Sequence, residues 1–314
     1  MNYRETEFFS KQGIYMQKVI ARGSTSIIFL VHSLQHDCDL ILKRCFNFIF
    51  SEKDLDNFIA LNNPSFVKLY QYFKFSGSFY LLMEYCPTDL KKMIEEIDVS
   101  KEDTLRIHIK EVVQAVYSCH NLNIPLVDFN LSNFLVNNAK KIKLNIFGIS
   151  KTGEEQINTF SNSLISTNYF LAPELLTQSD FNPLCSDIWS LGCIIYFMAT
   201  KTLPFSSKDM KELKQQIKSG EYNDNNIKDE QIKEVISKCL AVNPRKRFTA
   251  KGILKLRYFG RTEGIRNNRT QTRIDYRKSV FPVARQFSVI KINNNNLKEC
   301  SVEPNWPSFL SEVH

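Results

Sequence analysis

Residues 186–198 read SDIWSLGCIIYFM, and this stretch decides the fold together with two shorter ones. TNYFLAPE precedes it at residues 167–174, and NPRKRFT follows it at residues 243–249. The long stretch has apolar residues at helical period, which predicts a helix. Chance explains three such motifs in this order poorly, so the rest of the chain is interpreted around them.

Toward the amino terminus, short apolar runs of β character alternate with polar or glycine-containing breaks. The runs are YMQKVI, SIIFLVH, DLILKRCF, FVKLYQYFKF and SFYLLMEY. They predict five antiparallel strands. Between the third and fourth runs, Leu55 and Phe58 fit a helix that Ser51 caps just before Asp54. One helix therefore interrupts the predicted sheet.

From Asp89 onward the apolar period becomes helical. The segments are DLKKMIEEI, TLRIHIKEVVQAVYSCHNL, SDIWSLGCIIYFMAT, KDMKELKQQIKSG and DEQIKEVISKCL. We therefore expect a small β lobe at about residues 14–84 and a mainly helical lobe at about 85–259. Apolar periodicity fades beyond these, which predicts a basic, partly disordered tail at residues 260–314.

Composition bounds the function classes. The chain has 314 residues, 43% hydrophobic, which is enough for a large core. No apolar run approaches the roughly 20 residues that cross a bilayer, and the first residues lack the apolar core of a signal peptide. Eight cysteines occur singly, without Cys-x-x-Cys pairs, so we expect buried thiols in a reducing cytoplasm or nucleus. The net charge of +8 is concentrated near the end, where a tail could meet acidic proteins, lipids or RNA, or could simply be solvated.

With these elements in order, residues 14–259 resemble the protein kinase superfamily, and Thr167 in TNYFLAPE matches its Ser/Thr branch. The resemblance implies an α+β, bilobal protein kinase fold. It also implies that Asp187 holds the catalytic-loop backbone and that Glu174 and Arg247 form a buried ion pair. An internal hydrophobic column is expected from Leu69, Phe58, Phe147 and Leu126, with Gly148 completing the Asp-Phe-Gly position.

The resemblance also assigns nucleotide-binding positions. They are Ile20, Gly23, Ile28, Ile41, Lys43, Asp54, Met83, Glu84, Cys86, Asp89 and Leu135. In the glycine-rich loop only Gly23 is a glycine, since Ala21 and Ser26 stand at the other two positions. That hinders close approach of the backbone to phosphates, although an ordinary hairpin turn explains the segment equally well.

Three of these positions bear on phosphate and adenine binding. Lys43 stands where the family's lysine contacts the α- and β-phosphates. Asp54 stands where a glutamate should pair with that lysine, and its side chain is one methylene too short. Ile41 replaces the small alanine above the adenine, where added carbons crowd the base.

The catalytic positions are partly kept. Asp128 stands at the position of the would-be base and Asn133 at that of a metal ligand, although both residue types can also anchor or cap a loop. The cation two residues after the base is replaced by Asn130, and the preceding arginine by Val127. The metal-binding aspartate is replaced by Ile146, which cannot ligate Mg²⁺. Asn133 remains as the sole metal candidate.

Together these departures predict a catalytically impaired Ser/Thr pseudokinase, acting as a scaffold or allosteric partner for a kinase or its substrate. On this interpretation ATP binding is weak and Mg²⁺ binding doubtful, because several preorganised charges are missing. One alternative is a slow or atypical Ser/Thr kinase that uses Lys43, Asp128 and Asn133. A second is a switch that binds ATP through Lys43 without metal.

Overall fold

A computed structural model describes residues 3–23, 25–46, 51–98, 102–126, 129–148, 169–177 and 181–260. A five-stranded antiparallel sheet with one inserted helix comes first, and a mainly helical lobe follows. The α+β, bilobal architecture expected from the sequence is confirmed. Asp128, Val127, Thr167 and residues 261–314 lie outside the described residues.

The sheet of the first lobe has the order β1-β2-β3-β5-β4. Its strands are β1 Ile14–Arg22, β2 Ser26–Ser33, β3 Cys38–Cys45, β4 Leu69–Phe75 and β5 Ser78–Glu84. In β3, Lys43 lies opposite Ile28 of β2, and Ile41 lies opposite Met83 of β5. This register brings several of the predicted nucleotide-binding positions to neighbouring strands.

Helix α2, Glu52–Leu61, interrupts the sheet as predicted. Ser51 is its N-cap: the Ser51 hydroxyl accepts a hydrogen bond from the Asp54 amide, and the Asp54 carboxylate accepts one from the Ser51 amide. This reciprocal capping box satisfies two amides that would otherwise lack partners. Leu55 and Phe58 are buried, so they fix which side of α2 faces the core.

A helix before the first strand, α1 at Tyr3–Lys11, was not predicted from the sequence. Phe9 is buried among the aromatic side chains of one sheet face, and its ring meets that of Tyr80 edge-on at 4.8 Å. The buried Glu5 carboxylate accepts a hydrogen bond from Tyr80 and pairs with Arg44, both at 2.8 Å. Helix α1 thus covers a second apolar core on the sheet.

The second lobe is built around helix α5, Pro183–Thr200, most of whose residues are buried. The other helices among the described residues of this lobe are α3 Leu90–Glu96, α4 Glu102–Asn121, α6 Met210–Ser219, α7 Glu230–Cys239, α8 Ala250–Ile253 and α9 Arg257–Gly260. A small sheet of β6 Thr88–Asp89, β7 Phe134–Val136 and β8 Ile142–Leu144 lies at the junction of the lobes. By length and composition alone α5 could cross a membrane, but 72% of it is buried inside the protein, as in a core helix.

The cysteines differ in part from expectation. Cys45, Cys119, Cys193 and Cys239 are buried, and burial raises the pKa of the Cys119 thiol well above its ordinary value. Cys38 is exposed, which corrects the prediction that all the thiols are buried. Its place at the start of β3, next to the hairpin turn, explains this exposure.

Candidate functional site

The glycine-poor loop between β1 and β2 forms a tight hairpin. The Gly23 amide donates to the Ser26 carbonyl at 2.8 Å, and Ala21 lies opposite Ile28 in the strand register. One of the amides that a phosphate would need is therefore already used within the turn. Ile20 is 45% exposed at the end of β1.

The side chain of Lys43 makes a hydrogen bond with the protein's own backbone. Its Nζ donates to the backbone carbonyl of Phe147 at 2.7 Å, which ties β3 to the segment after β8. Burial lowers the pKa of Lys43, because the ammonium loses solvation that the nearby Cys45 offsets only in part. Among the described residues, no carboxylate lies within 4 Å of this ammonium.

Asp54 is buried, but its carboxylate serves its own helix. One oxygen accepts from the Ser51 amide at 2.9 Å and from the Ser51 hydroxyl at 2.8 Å. The other oxygen, Oδ1, has no hydrogen-bond partner within the described part of the chain. The structure thus does not bring Asp54 to Lys43, because the short side chain instead completes the capping box.

The connection between the lobes is organised by Glu84. Its carboxylate pairs with Lys143 of β8 at 2.9 Å and accepts from the Asn137 side chain at 2.9 Å. It also accepts from the Lys68 amide at 3.2 Å. This network links β5 to the second lobe. The Glu84 carboxylate is thus engaged in contacts within the protein.

The other predicted residues near this connection take structural contacts. Met83 is buried in β5, and Cys86 follows it half-buried, with burial raising the pKa of its thiol to about 12. Asp89 caps α3 by accepting from the Lys92 amide at 2.9 Å. Leu135 pairs with Asp89 in the small sheet and is half-buried.

In the catalytic-loop segment, Asn130 and Asn133 bind each other. The Asn133 side-chain oxygen accepts from the Asn130 amide at 2.8 Å, and the Asn130 side-chain oxygen accepts from the Ser132 amide at 2.9 Å. Asn133 also accepts through its backbone carbonyl from Asn145 at 2.8 Å. Both asparagine side chains therefore cap the short turn Leu131–Asn133.

The position of the missing metal ligand is apolar. Ile146 is 5% exposed within the main core, and the Phe147 ring meets that of Phe58 edge-on at 5.3 Å. Leu69 and Leu126 are buried in the same core. A small cleft lies beside Ile146, between α2 and β4, and Phe58 and Leu69 line it. The segment Ile146–Gly148 forms a 3₁₀ turn.

The residues at this position do not fit a magnesium ion. Mg²⁺ needs oxygen ligands in near-octahedral geometry, usually including a carboxylate. Ile146 supplies none, and Asn133 and Asn145 supply only neutral oxygens. The Asn145 oxygen is buried without a hydrogen-bond partner among the described residues. In the described ranges, no group of three or more His, Cys, Asp or Glu side chains could hold a metal.

The second lobe holds two buried anchors. Arg247 makes a bidentate pair with Glu174, at 2.6 and 2.7 Å, and the Ser186 hydroxyl donates to the same carboxylate at 2.7 Å. Asp187 accepts from the Leu126 amide at 2.8 Å, just before the loop positions that lie outside the described residues, and lies 2.9 Å from the His120 ring. The resemblance had implied an ion pair between Glu174 and Arg247 and a backbone anchor at Asp187, and the functional meaning of both stays a prediction.

Sequence reasoning missed several residues of this site. His120 lies on the last turn of α4, where the helical period marks it only as polar. Ser186 was part of a quoted motif without a role. Lys143 lies between the buried Ile142 and Leu144 of β8, so strand alternation could have marked it as facing the other side of the sheet.

Comparison with known proteins agrees with this geometry. A family model described as the protein kinase domain matches residues 19–259. The chain is 30% identical over 215 residues to serine/threonine-protein kinase kin-29 of Caenorhabditis briggsae, which covers 68% of this chain and 26% of that protein. It is 28% identical over 215 residues to the probable serine/threonine-protein kinase MARK-A of Dictyostelium discoideum, covering 68% of this chain and 20% of that protein.

A third relative is sperm motility kinase 2B of Mus musculus, 27% identical over 257 residues, with 79% of this chain and 52% of that protein covered. The chain thus spans about a fifth to a half of the length of these relatives.

Proposed function

The chain belongs to the protein kinase domain family, whose members generally use ATP and Mg²⁺, and we propose that it is a catalytically impaired Ser/Thr pseudokinase. It acts by binding, as a scaffold or allosteric partner for a kinase or a kinase substrate in the cytoplasm or nucleus. The observation that carries the proposal is Ile146, buried in the main core where the metal-binding carboxylate of an active kinase would lie.

The physical reason is electrostatic. Phosphoryl transfer depends on cations that neutralise the triphosphate and on their preorganised ligands. Losing one such contact typically lowers the rate about 10²- to 10³-fold. Here the metal carboxylate is replaced by Ile146, the cation after the base by Asn130, and the partner of Lys43 by an Asp54 that caps its own helix. Because several of these charged contacts are lost together, we do not expect turnover at the rate of an ordinary kinase.

What remains supports a stable kinase-shaped surface. Phe58 and Phe147 are in contact, and the Lys43 ammonium bridges β3 to the Phe147 carbonyl. These contacts join α2, β3 and the segment after β8 through the protein's own residues. The lobes are thus tied together without relying on a bound nucleotide, which suits a protein that functions by docking.

A radiolabelled phosphate-transfer assay on generic protein substrates tests the proposal, with Asp128→Asn as the matched control. We expect wild type and Asp128→Asn to give the same background incorporation with ATP and Mg²⁺. Incorporation by wild type that Asp128→Asn abolishes would instead establish the slow-kinase alternative and overturn the proposal.

A second candidate function, metal-independent ATP binding, is favoured by Lys43. Its buried ammonium has no carboxylate within 4 Å in the described part of the chain. A phosphate group of ATP could therefore form an ion pair with it. ATP in the presence of a metal chelator should then raise the melting temperature of wild type in a thermal-shift assay, because a ligand that binds only the folded state stabilises it. Lys43→Met should remove the shift, and an equal shift in both proteins would reject this candidate.

A further inference from the structure

Positive charge is concentrated in one folded segment of the second lobe. Residues 1–234 carry 25 Lys and Arg against 28 Asp and Glu, a formal net charge of −3. Residues 235–260 carry seven basic residues and no acidic one. The excess positive charge of the described chain therefore comes from 26 consecutive residues that end at Gly260.

One of the seven, Arg247, is buried in its pair with Glu174. The other six define what we call the basal surface. They are Lys238, Arg245, Lys246, Lys251, Lys255 and Arg257. Lys238 is half-buried and the other five are exposed.

The local folding of this segment turns its charges outward. Helix α8 buries Ala250 and Ile253 and leaves Lys251 exposed, and Lys255, two residues after the helix, is exposed as well. Helix α9 buries Tyr258 and Phe259 and leaves Arg257 exposed. Apolar contacts of the segment with the lobe thus set the direction of its basic side chains.

Four of the six charges make no ion pair within the described residues. Within the described residues, no carboxylate lies within 4 Å of Lys246, Lys251, Lys255 or Arg257. Since the segment has no acidic residue, its own sequence contributes no negative charge that would repel an approaching anionic surface. A folded protein that needed these charges only for solubility would not need to exclude acidic residues from all 26 positions.

Two partly exposed apolar side chains lie within the same segment. Val242 is 40% exposed, and Phe248 is 36% exposed at the turn before α8. The Lys238 ammonium lies 5.2 Å from the centre of the Phe248 ring, and Gly252 lies against the same ring. Apolar side chains among lysines and arginines are typical of surfaces that rest on a lipid interface.

We propose that the basal surface binds the anionic face of a phospholipid bilayer. Such a face attracts each nearby Lys or Arg and requires no exact geometry, which fits six charges spread over a helix end, a turn and two short helices. Single-stranded nucleic acid is favoured less, because its binding relies on bases stacked on free aromatic faces. Phe248 is the exposed aromatic residue of this segment, and Lys238 already lies over its ring.

The sequence beyond Gly260 adds to the same effect. Residues 261–314 carry nine basic and five acidic residues, and they follow directly in sequence after the segment that carries the basal surface. Their charge adds to the attraction, so a test must separate the folded surface from the tail. Substitutions of Lys251 and Lys255, with residues 261–314 left intact, make that separation.

The experiment is co-sedimentation of the full chain with phosphatidylcholine vesicles that contain or lack phosphatidylserine. The double variant Lys251→Glu/Lys255→Glu reverses two charges on the basal surface, one in α8 and one just after it, and is called the α8 variant. Lys211→Glu/Lys214→Glu is the matched control, since it makes the same charge change on exposed positions of α6. We expect wild type to bind only the anionic vesicles, the α8 variant to lose roughly tenfold or more in affinity, and the α6 variant to bind nearly as wild type does. Unfolding midpoints of both variants check that they are folded.

Equal losses in both variants would overturn the proposal, since they would show a diffuse charge effect. No loss in the α8 variant would assign binding to residues 261–314 and equally overturn it. A single-stranded RNA tested in parallel provides the last outcome: tighter binding to RNA than to anionic vesicles, lost in the α8 variant, would replace the lipid by nucleic acid. No arm of this experiment measures phosphate transfer or ATP binding. A negative result with vesicles therefore does not affect the proposed pseudokinase function, and a negative result for that function does not affect the membrane proposal.

Discussion

The buried charges of the second lobe differ from Asp54 and Asn133, two residues at predicted nucleotide-binding and catalytic positions, in the sequence distance to their side-chain partners. Glu174, Arg247 and Asp187 each bind a residue distant in sequence, and those contacts hold the lobe together. Asp54 and Asn133 bind residues within three positions of themselves. These structural charges thus have long-range partners, while the side chains of Asp54 and Asn133 make local capping bonds. Under the proposed function, the intact anchors preserve the fold although the phosphate chemistry is impaired.

Breaking the buried ion pair of the second lobe should have the largest effect on stability. Arg247→Met leaves the Glu174 carboxylate buried without its counter-charge, and we expect the free energy of unfolding to fall by about 3–5 kcal/mol. Denaturant unfolding measures it. The double variant Glu174→Gln/Arg247→Met is the control and should recover part of the loss. A loss below about 1 kcal/mol for Arg247→Met would contradict a stabilising anchor.

The apolar replacement at the metal position should give the next largest effect. Ile146→Asp buries a carboxylate in the main core, so the free energy of unfolding should fall by about 2–4 kcal/mol. Burial raises the pKa of such a carboxylate, and a raised folded-state pKa means that the penalty grows as pH rises. Ile146→Asn separates the charge from the change in shape, and its loss should not vary with pH.

Unfolding of both Ile146 variants at acidic and mildly alkaline pH provides the measurement. A higher melting temperature of Ile146→Asp than of wild type, without ligand, would show that Ile146 does not stabilise the core.

The local capping bonds should have a smaller effect. Ser51→Ala removes the hydroxyl that caps α2 and the partner of the Asp54 carboxylate, which should lower the free energy of unfolding by about 1 kcal/mol. Asp209 caps α6 in the same way through the Lys211 amide, so Asp209→Ala is a matched control at a remote helix. If Ser51→Ala also weakens ATP binding and Asp209→Ala does not, then Asp54 has a role at the nucleotide site that its capping bonds hide.

Lys43 should show the smallest effect, and only as a dependence on pH. Burial lowers its folded-state pKa below that of the unfolded chain, so the unfolded state binds more protons between the two values. The stability of wild type relative to Lys43→Met should therefore rise as pH increases toward 10.5, the ordinary value. Denaturant midpoints of both proteins over that range measure it, and a constant or falling difference would mean that the ammonium is not buried.

Much of the fold could be predicted because its elements depend on apolar period and local capping. The five strands, the Ser51 cap and the central helix follow from patterns within about twenty residues. Helix α1 could not be predicted in this way, since residues 3–11 combine two adjacent phenylalanines with a buried glutamate whose contacts with Arg44 and Tyr80 are distant in sequence. Tertiary contacts, more than propensity, stabilise such short helices.

The candidate site shows the same limit. Family resemblance placed Lys43, Asp54 and Glu84 at functional positions, but it could not give their partners. Lys43 binds a carbonyl 104 residues away, and Glu84 binds Asn137, which is 53 residues away. Such pairs depend on how the two lobes meet, which no local pattern records. The loss of a ligand at Ile146 needed no structure, because an apolar side chain cannot bind a metal in any conformation.

The effect of magnesium on the ATP-induced thermal shift tests the central claim most directly. Because Ile146 supplies no ligand, we predict that Mg²⁺ adds nothing to the shift that ATP produces in chelator. The measurement uses wild-type protein with ATP, first in chelator and then in excess Mg²⁺. A further stabilisation by Mg²⁺ that depends on ATP and disappears in Asn133→Ala would contradict the claim, since it would show a working metal site despite Ile146.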